Sequence, residues 1–145
     1  MCATRSANTE PSLFRSYQSP DEERNDVTIW QAARATSAAP TFFSPVRLGS
    51  PAGEYVDGAL VHNNPIRLLV REVQSLWGPD ANLACVLSIG TGFPPTRTLG
   101  RMGPQILAAC VAKATETETT ARTFKSEHRH DLVKDKKYFR FNVAH

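Results

Sequence analysis

Tyr55-Val56-Asp57-Gly58-Ala59-Leu60-Val61-His62-Asn63-Asn64-Pro65 carries the transition on which the fold turns. A short apolar run delivers one carboxylate, Asp57, into a Gly58-Ala59 turn, and Asn63-Asn64-Pro65 then starts a helix. Asparagine caps a first helical turn with its side chain, and proline's missing N–H is not needed there. A carboxylate at the end of an apolar strand needs a reason, because burying a charge is costly. One reason is catalytic, with Asp57 as a base at the rim of a sheet. The other is local: Asp-Gly is a common turn dipeptide in which the side chain accepts from its own backbone. On these residues alone the turn is the favoured reading.

Downstream, Ile66, Leu69, Val70, Val73 and Trp77 recur at three- and four-residue spacing, which predicts a helix with one buried face, ended by Gly78-Pro79. Leu83-Ala84-Cys85-Val86-Leu87-Ser88-Ile89 is nearly continuous in apolar character and predicts a strand covered on both faces. Gly90-Thr91-Gly92 closes it. After a Pro/Gly-rich loop from Phe93 to Gly103, Leu107, Cys110, Val111, Ala114, Thr117, Ala121 and Phe124 trace the inner face of a long helix, about Pro104 to Ser126. Tyr138-Phe139-Arg140-Phe141-Asn142-Val143 alternates and reads as a last strand.

Upstream, Leu13 to Tyr17 reads as a half-buried strand, and Ser19 to Asn25 as a charged loop. Asp26 or Thr28 caps a helix through Ile29, Trp30, Ala32, Ala33 and Ala35, whose alanines permit close packing. Thr41-Phe42-Phe43 is expected to anchor the chain after Pro40, and Val46-Arg47-Leu48 to form a short strand before the Gly49–Gly53 turn. Strands alternating with helices argue a layered α/β fold. No internal boundary appears, so residues 1–145 read as one unit.

With 41% apolar and 21% charged residues the chain is an ordinary globular one. The net charge of +3 is concentrated after Arg101, but Glu127, Asp131 and Asp135 interrupt the basic run and no aromatic interleaving suggests base stacking. Nucleic acid is therefore not an expected partner. Cys2, Cys85 and Cys110 are odd in number and lack metal-ligand spacing, which fits a reducing compartment; Cys85 and Cys110 read as small core residues. Met1 to Glu10 has no apolar h-region, and no run approaches the roughly 20 apolar residues of a membrane span, so a cytoplasmic location is expected.

The chemistry is bounded by what is missing from the sequence. There is no Gly-x-Ser-x-Gly elbow to expose a serine nucleophile, and Gly49-Ser50-Pro51-Ala52-Gly53 has the wrong spacing. There is no phosphate-binding glycine loop, and Gly90-Thr91-Gly92 reads as a tight turn. His128 and His130 lack a third ligand at a recognised spacing, so no metal site is expected. His62, with no nucleophile to serve, reads as loop or surface.

Three ordered segments resemble the patatin-like phospholipase family. They are Ile29-Trp30-Gln31-Ala32-Ala33-Arg34-Ala35-Thr36-Ser37-Ala38-Ala39-Pro40-Thr41-Phe42-Phe43, then Tyr55 to Leu60 with Asn63-Asn64-Pro65, then Leu87-Ser88-Ile89-Gly90-Thr91-Gly92. The segments near Thr115-Glu116-Thr117-Glu118 and Tyr138 to Asn142 also look like patatin-type domains of fungi. The resemblance implies a three-layer α/β/α fold with a mostly parallel sheet. It also implies a lipid acyl hydrolase of the phospholipase A type, in which a serine attacks the ester carbonyl and an aspartate takes its proton without a histidine. Asp57 matches that aspartate, Gly58 and Ala59 its small-residue turn, and Asn63 and Asn64 the turn behind it. Gly58 and Ala59 would leave room for the serine and the acyl group. The serine elbow and glycine-rich oxyanion loop lie N-terminal of this region in the family and do not occur here, so the chain is expected to be a partial domain, inactive alone, through truncation or a late-starting gene model. The implied substrate is a lipid or phospholipid ester, with peripheral membrane contact, no cofactor and no metal. The alternative is a non-catalytic patatin-like module for signalling or assembly.

Overall fold

A computed structural model describes residues 1–20, 26–40, 42–49, 51–92 and 104–143, with 104–115 as backbone. It is a mixed α/β fold, as the alternation of strands and helices leads one to expect. Strands β1 (Cys2–Arg5), β2 (Pro11–Leu13), β3 (Val46–Leu48) and β4 (Gly53–Asp57) form one sheet in the order β2-β1-β4-β3. Every pairing in it is antiparallel, which corrects the expectation of a mostly parallel sheet. For β1–β2 and β3–β4 the reason is connection length. β1 turns directly into β2 through a bend closed by Thr9 N–H to Arg5 O at 2.9 Å, and β3 turns into β4 past Gly49, whose φ of 85° suits glycine. Short connections join antiparallel neighbours, whereas parallel strands need a crossover.

The crossover occurs once among the described residues. Helix α4 (Pro104–Glu127) and a single π-helical turn (Arg129–Val133) carry the chain from β5 (Val86–Ile89) to β6 (Tyr138–Phe141), and this pair is parallel. The remaining helices are α1 (Ile29–Thr36), α2 (Ala59–His62) and α3 (Ile66–Trp77).

Strand β1 falls in the polar N-terminus, where no strand is expected from composition. Its Ala3 and Thr4 are buried because β2 and β4 flank it on either side. The first core gathers Ala3, Phe14, Ala32, Ala35, Leu48 and Tyr55, with Phe14 meeting Tyr55 edge to face at 5.3 Å. Helix α1 starts at Thr28, whose N–H donates to Gln31 Oε1 at 2.9 Å, and it lies on the sheet through Ala32 and Ala35.

The second core joins Ile66, Val70, Val86, Phe124 and Leu132. On α3 only Ile66 and Val70 of the expected stripe are buried; Leu69 and Trp77 are exposed. β5 is likewise shorter and less covered than its apolar run suggests. Val86 and Ser88 point inward while Leu87 and Ile89 face out, beside the exposed Phe139 and Phe141 of β6. Two more expectations are corrected by exposure: Cys85 is on the surface, and Phe42 and Phe43 do not anchor the core. The apolar positions Leu107, Cys110, Val111 and Ala114 lie among residues whose side chains are outside the described set, as does the loop from Phe93 to Gly103. Among the described residues no helix is long and apolar enough to cross a membrane.

Candidate active site

Asp57 is the last residue of β4, paired in register with Ala3 of β1. Its side chain is half-buried, and Oδ1 accepts the N–H of Ala59 at 2.8 Å. That is the local turn bond which Asp-Gly sequences favour. Its own N–H donates to the carbonyl of Ala38, just beyond α1, at 3.0 Å. The carboxylate is thus fixed at the junction of β4, α1 and the short α2.

Gly58 follows with ordinary helical angles, φ −61° and ψ −25°, so glycine is not needed there for its conformational freedom. It is needed for space. A Cβ on Gly58 would lie 2.5 Å from the carbonyl oxygen of Cys2 in β1. Thr36 of α1 donates its hydroxyl to that same carbonyl. The small residue therefore admits the backbone of β1 and ties the Asp57 turn to it. Ala59 opens α2, which ends at His62; His62 and Asn63 are half-buried.

Asn64 is buried and works in two directions. Its Oδ1 accepts the N–H of Ile66 at 3.3 Å, satisfying a free donor at the start of α3, and its Nδ2 donates to Thr117 O of α4 at 3.3 Å. The capping role expected of Asn63 or Asn64 thus belongs to Asn64, with Pro65 at the cap position of α3.

Next to Asn63 and Asn64 opens a cavity of about 530 Å³. Cys2, Asn63 and Asn64 line one side of it, Leu13, Leu69 and Ile89 give it an apolar wall, and Asp57 itself is not among its lining residues. Its polar edge is an ion pair that sequence spacing does not reveal. Arg15, just after β2, donates from Nη2 to Glu72 Oε2 at 2.8 Å and from Nε to Oε1, and Tyr17 OH donates to Oε1 at 3.1 Å. Arg15 holds Glu72 below the usual carboxylate range, its partial burial opposing and the Tyr17 bond adding. A second pair, Arg140 to Glu118, locks β6 to α4; Arg140 Nη1 also donates to Ser88 Oγ at 2.9 Å. Asn142 donates to Glu118 at 2.8 Å and accepts the N–H of Gly92 at 2.7 Å, which holds the Gly90–Gly92 turn against β6.

Cys2 is the neighbour of Asp57 that sequence reasoning missed. Burial pushes its thiol up; the N-terminal ammonium pulls it down, and the Asp57 charge raises it again. No spacing rule links residues so far apart, and only the β1–β4 register brings them together. The serines are placed otherwise. Ser37 donates to Ala33 O at 2.8 Å, an intrahelical bond, and Ser88 is buried under Arg140. Ser50 lies outside the described residues. His128 pairs with Asp131 at 2.8 Å and stacks near Phe124, at the π-helical turn.

Residues 2–70 match the model of the family described as patatin-like phospholipase. The chain is 36% identical over 121 residues to phospholipase A I of Arabidopsis thaliana, covering 79% of this chain and 8% of that protein. It is 36% identical over 119 residues to the calcium-independent phospholipase A2-gamma of Mus musculus, covering 79% of this chain and 14% of the relative. To patatin-like phospholipase 1 of Plasmodium falciparum it is 30% identical over 141 residues, covering 83% of this chain and 21% of the relative. It therefore spans a small part of each relative's length. The matched segment includes the whole β1–β4 sheet, α1, the Asp57 turn and the start of α3. On these matches the chain belongs to the patatin-like phospholipase family.

Proposed function

We propose that this chain is the C-terminal portion of a patatin-like lipid acyl hydrolase domain and carries the general-base half of its active site. In the complete site a serine Oγ attacks the acyl carbonyl of a lipid or phospholipid ester and its proton passes to the Asp57 carboxylate. The proton then goes to the leaving alcohol as the ester C–O bond breaks, and water releases the acyl group by the same route. No cofactor or metal is required for these steps. The substrate implies peripheral contact with a membrane, and the free thiols of Cys2 and Cys85 suit a cytoplasmic location.

One observation carries this reading. Asp57 sits at a strand-to-helix turn with Oδ1 held by the Ala59 N–H, and its backbone is bonded to the end of α1, the helix of the other matching motif. A turn serving only itself needs neither the bond to Ala38 nor the room that Gly58 makes for β1. The test joins this chain to the serine-bearing segment of a relative such as the mouse calcium-independent phospholipase A2-gamma and assays phospholipid hydrolysis. Removing a general base lowers turnover by about 10²–10⁴-fold, so Asp57→Asn in the chimera is expected to fall in that range. An Asp57→Asn chimera as active as its parent sinks the assignment.

A further inference from the structure

Thr36 ends helix α1, and its hydroxyl does not do what a helical threonine ordinarily does. A threonine in a last turn commonly returns its hydroxyl to a carbonyl of its own helix, three or four residues back. Ser37, next along, behaves in that way and donates to Ala33 O at 2.8 Å. Thr36 instead donates to the carbonyl of Cys2 in β1, 34 residues away in sequence. The β1–β4 ladder stops at the Ala3–Asp57 pair, because Gly58 takes helical angles and starts α2. The Cys2 carbonyl therefore lies at the open end of the ladder, and Thr36 supplies its donor.

The same carbonyl bounds the Asp57 turn, since a Cβ on Gly58 would meet it at 2.5 Å. Three links close a triangle around residue 57. Ala3 pairs with Asp57 between β1 and β4, and the Asp57 N–H donates to Ala38 O at 3.0 Å between β4 and the end of α1. Thr36 joins α1 back to β1. Ala3 and Ala38 are fully buried and Thr36 is half-buried, so water competes little for these bonds. Without the Thr36 link, β1 would meet α1 only through the apolar contacts of Ala3 with Ala32 and Ala35, which have no direction of their own.

We propose that Thr36 is a positioning residue for Asp57: its hydroxyl holds the Cys2 carbonyl against Gly58 and so fixes the direction in which the Asp57 carboxylate leaves the sheet. The consequence for catalysis rests on the reading of Asp57 as the general base. A catalytic group must be held within about 0.5 Å of its productive geometry, and a misplacement of about 1 Å costs up to about 100-fold in rate. Thr36 bonds to backbone and not to the carboxylate, so its loss is expected in kcat rather than in KM.

The first test needs no turnover. It is a double-mutant cycle on the full chain, Gly58→Ala against Thr36→Val, read by urea denaturation. With Thr36 intact the Cys2 carbonyl cannot retreat, and Gly58→Ala lowers the urea midpoint. In Thr36→Val β1 can give way, so the same methyl group is expected to lower the midpoint by about half as much or less. Equal shifts in the two backgrounds overturn the proposal. The second test uses the chimera described above. Thr36→Val is expected to lower kcat about tenfold at unchanged KM, and Thr36→Ser, which keeps the hydroxyl, to retain the parent value. A parent-like kcat in Thr36→Val, a rise in KM alone, or a Thr36→Ser as slow as Thr36→Val overturns the proposal, the last by assigning the effect to the methyl group. If Thr36→Val yields no folded protein, Thr36→Ala removes the same hydroxyl without new bulk and is compared with Thr36→Ser in its place. The two failures are separable. Equal shifts in the cycle remove the Thr36 link and leave the role of Asp57 standing, whereas an Asp57→Asn chimera as active as its parent removes the base and leaves the cycle to report the link.

Discussion

The N–H of Asp57 donates to the carbonyl of Ala38 at 3.0 Å, and this one bond joins the end of β4 to the end of α1. It brings together the two most informative stretches of the sequence, Arg34 to Pro40 and Tyr55 to Asn64. A third element closes the arrangement: Cys2 of β1 offers its carbonyl to Thr36 and leaves no room for a side chain at residue 58.

That lack of room can be tested by a single methyl group. Gly58→Ala places it 2.5 Å from the Cys2 carbonyl oxygen, a backbone atom that moves only if β1 moves. Overpacking of this kind costs about 1–3 kcal/mol. Urea denaturation of the variant is expected to show a loss in that range. A variant as stable as the parent would mean that β1 does not lie against the turn.

Cys2 gives a direct probe of the Asp57 charge. Its thiol is raised by burial and again by the carboxylate, so alkylation of Cys2 is expected to need a higher pH than an ordinary thiol. Asp57→Asn removes one of the raising causes, and the midpoint of the alkylation rate against pH should move down. Peptide-level mass spectrometry separates Cys2 from the other two cysteines. An unchanged midpoint would place the carboxylate away from β1.

Acid stability should depend on Glu72. Its folded value lies below the ordinary glutamate value because Arg15 and Tyr17 bind the ionised form. The stabilisation is therefore present above the unfolded value of about 4.3 and lost as pH falls through the folded value. Glu72→Gln is expected to lower stability at pH 7 by about 1–2 kcal/mol and to flatten the fall in melting temperature below about pH 4.3. An equally steep acid limb in the variant would assign that limb to other carboxylates.

The β5–β6 pair predicts self-association. A parallel pair is ordinarily covered on both faces, yet Leu87, Ile89, Phe139 and Phe141 stand exposed together on one of them. The isolated chain is expected to aggregate or to need a partner, and Ile89→Lys, at a site 81% exposed, should reduce light scattering without lowering the melting temperature. A monomeric parent that melts cooperatively would contradict this.

How much of this was legible varies with the range of the interaction. The starts and stops of α1 and α3 could be read because Thr28, Asn64 and Gly78 act on their own neighbours. The Asp57 turn was legible for the same reason. Strand β1 was not, because Cys2-Ala3-Thr4-Arg5 has little strand character alone and is buried only by its two partners. Nor was the orientation of α1: alanines on one arc and Ile29 and Trp30 on the other are both apolar, and periodicity cannot choose between them. The antiparallel pairing of β1 with β2 and of β3 with β4 followed from their short connections, and that of β1 with β4 from long-range contact, neither of which the apolar pattern encodes. The reason for Gly58 was legible only in part, since the group it makes room for belongs to Cys2.

If Asp57 is a catalytic base whose serine these residues do not supply, the chain by itself should be silent as a hydrolase. Hydrolysis of a p-nitrophenyl ester and of a phospholipid by the purified chain, with and without Asp57→Asn, decides the matter. No turnover above buffer is expected for either protein. Clear turnover that disappears in Asp57→Asn would contradict this and point to a nucleophile within the chain, with Ser37, Ser50 and Ser88 the residues to replace next.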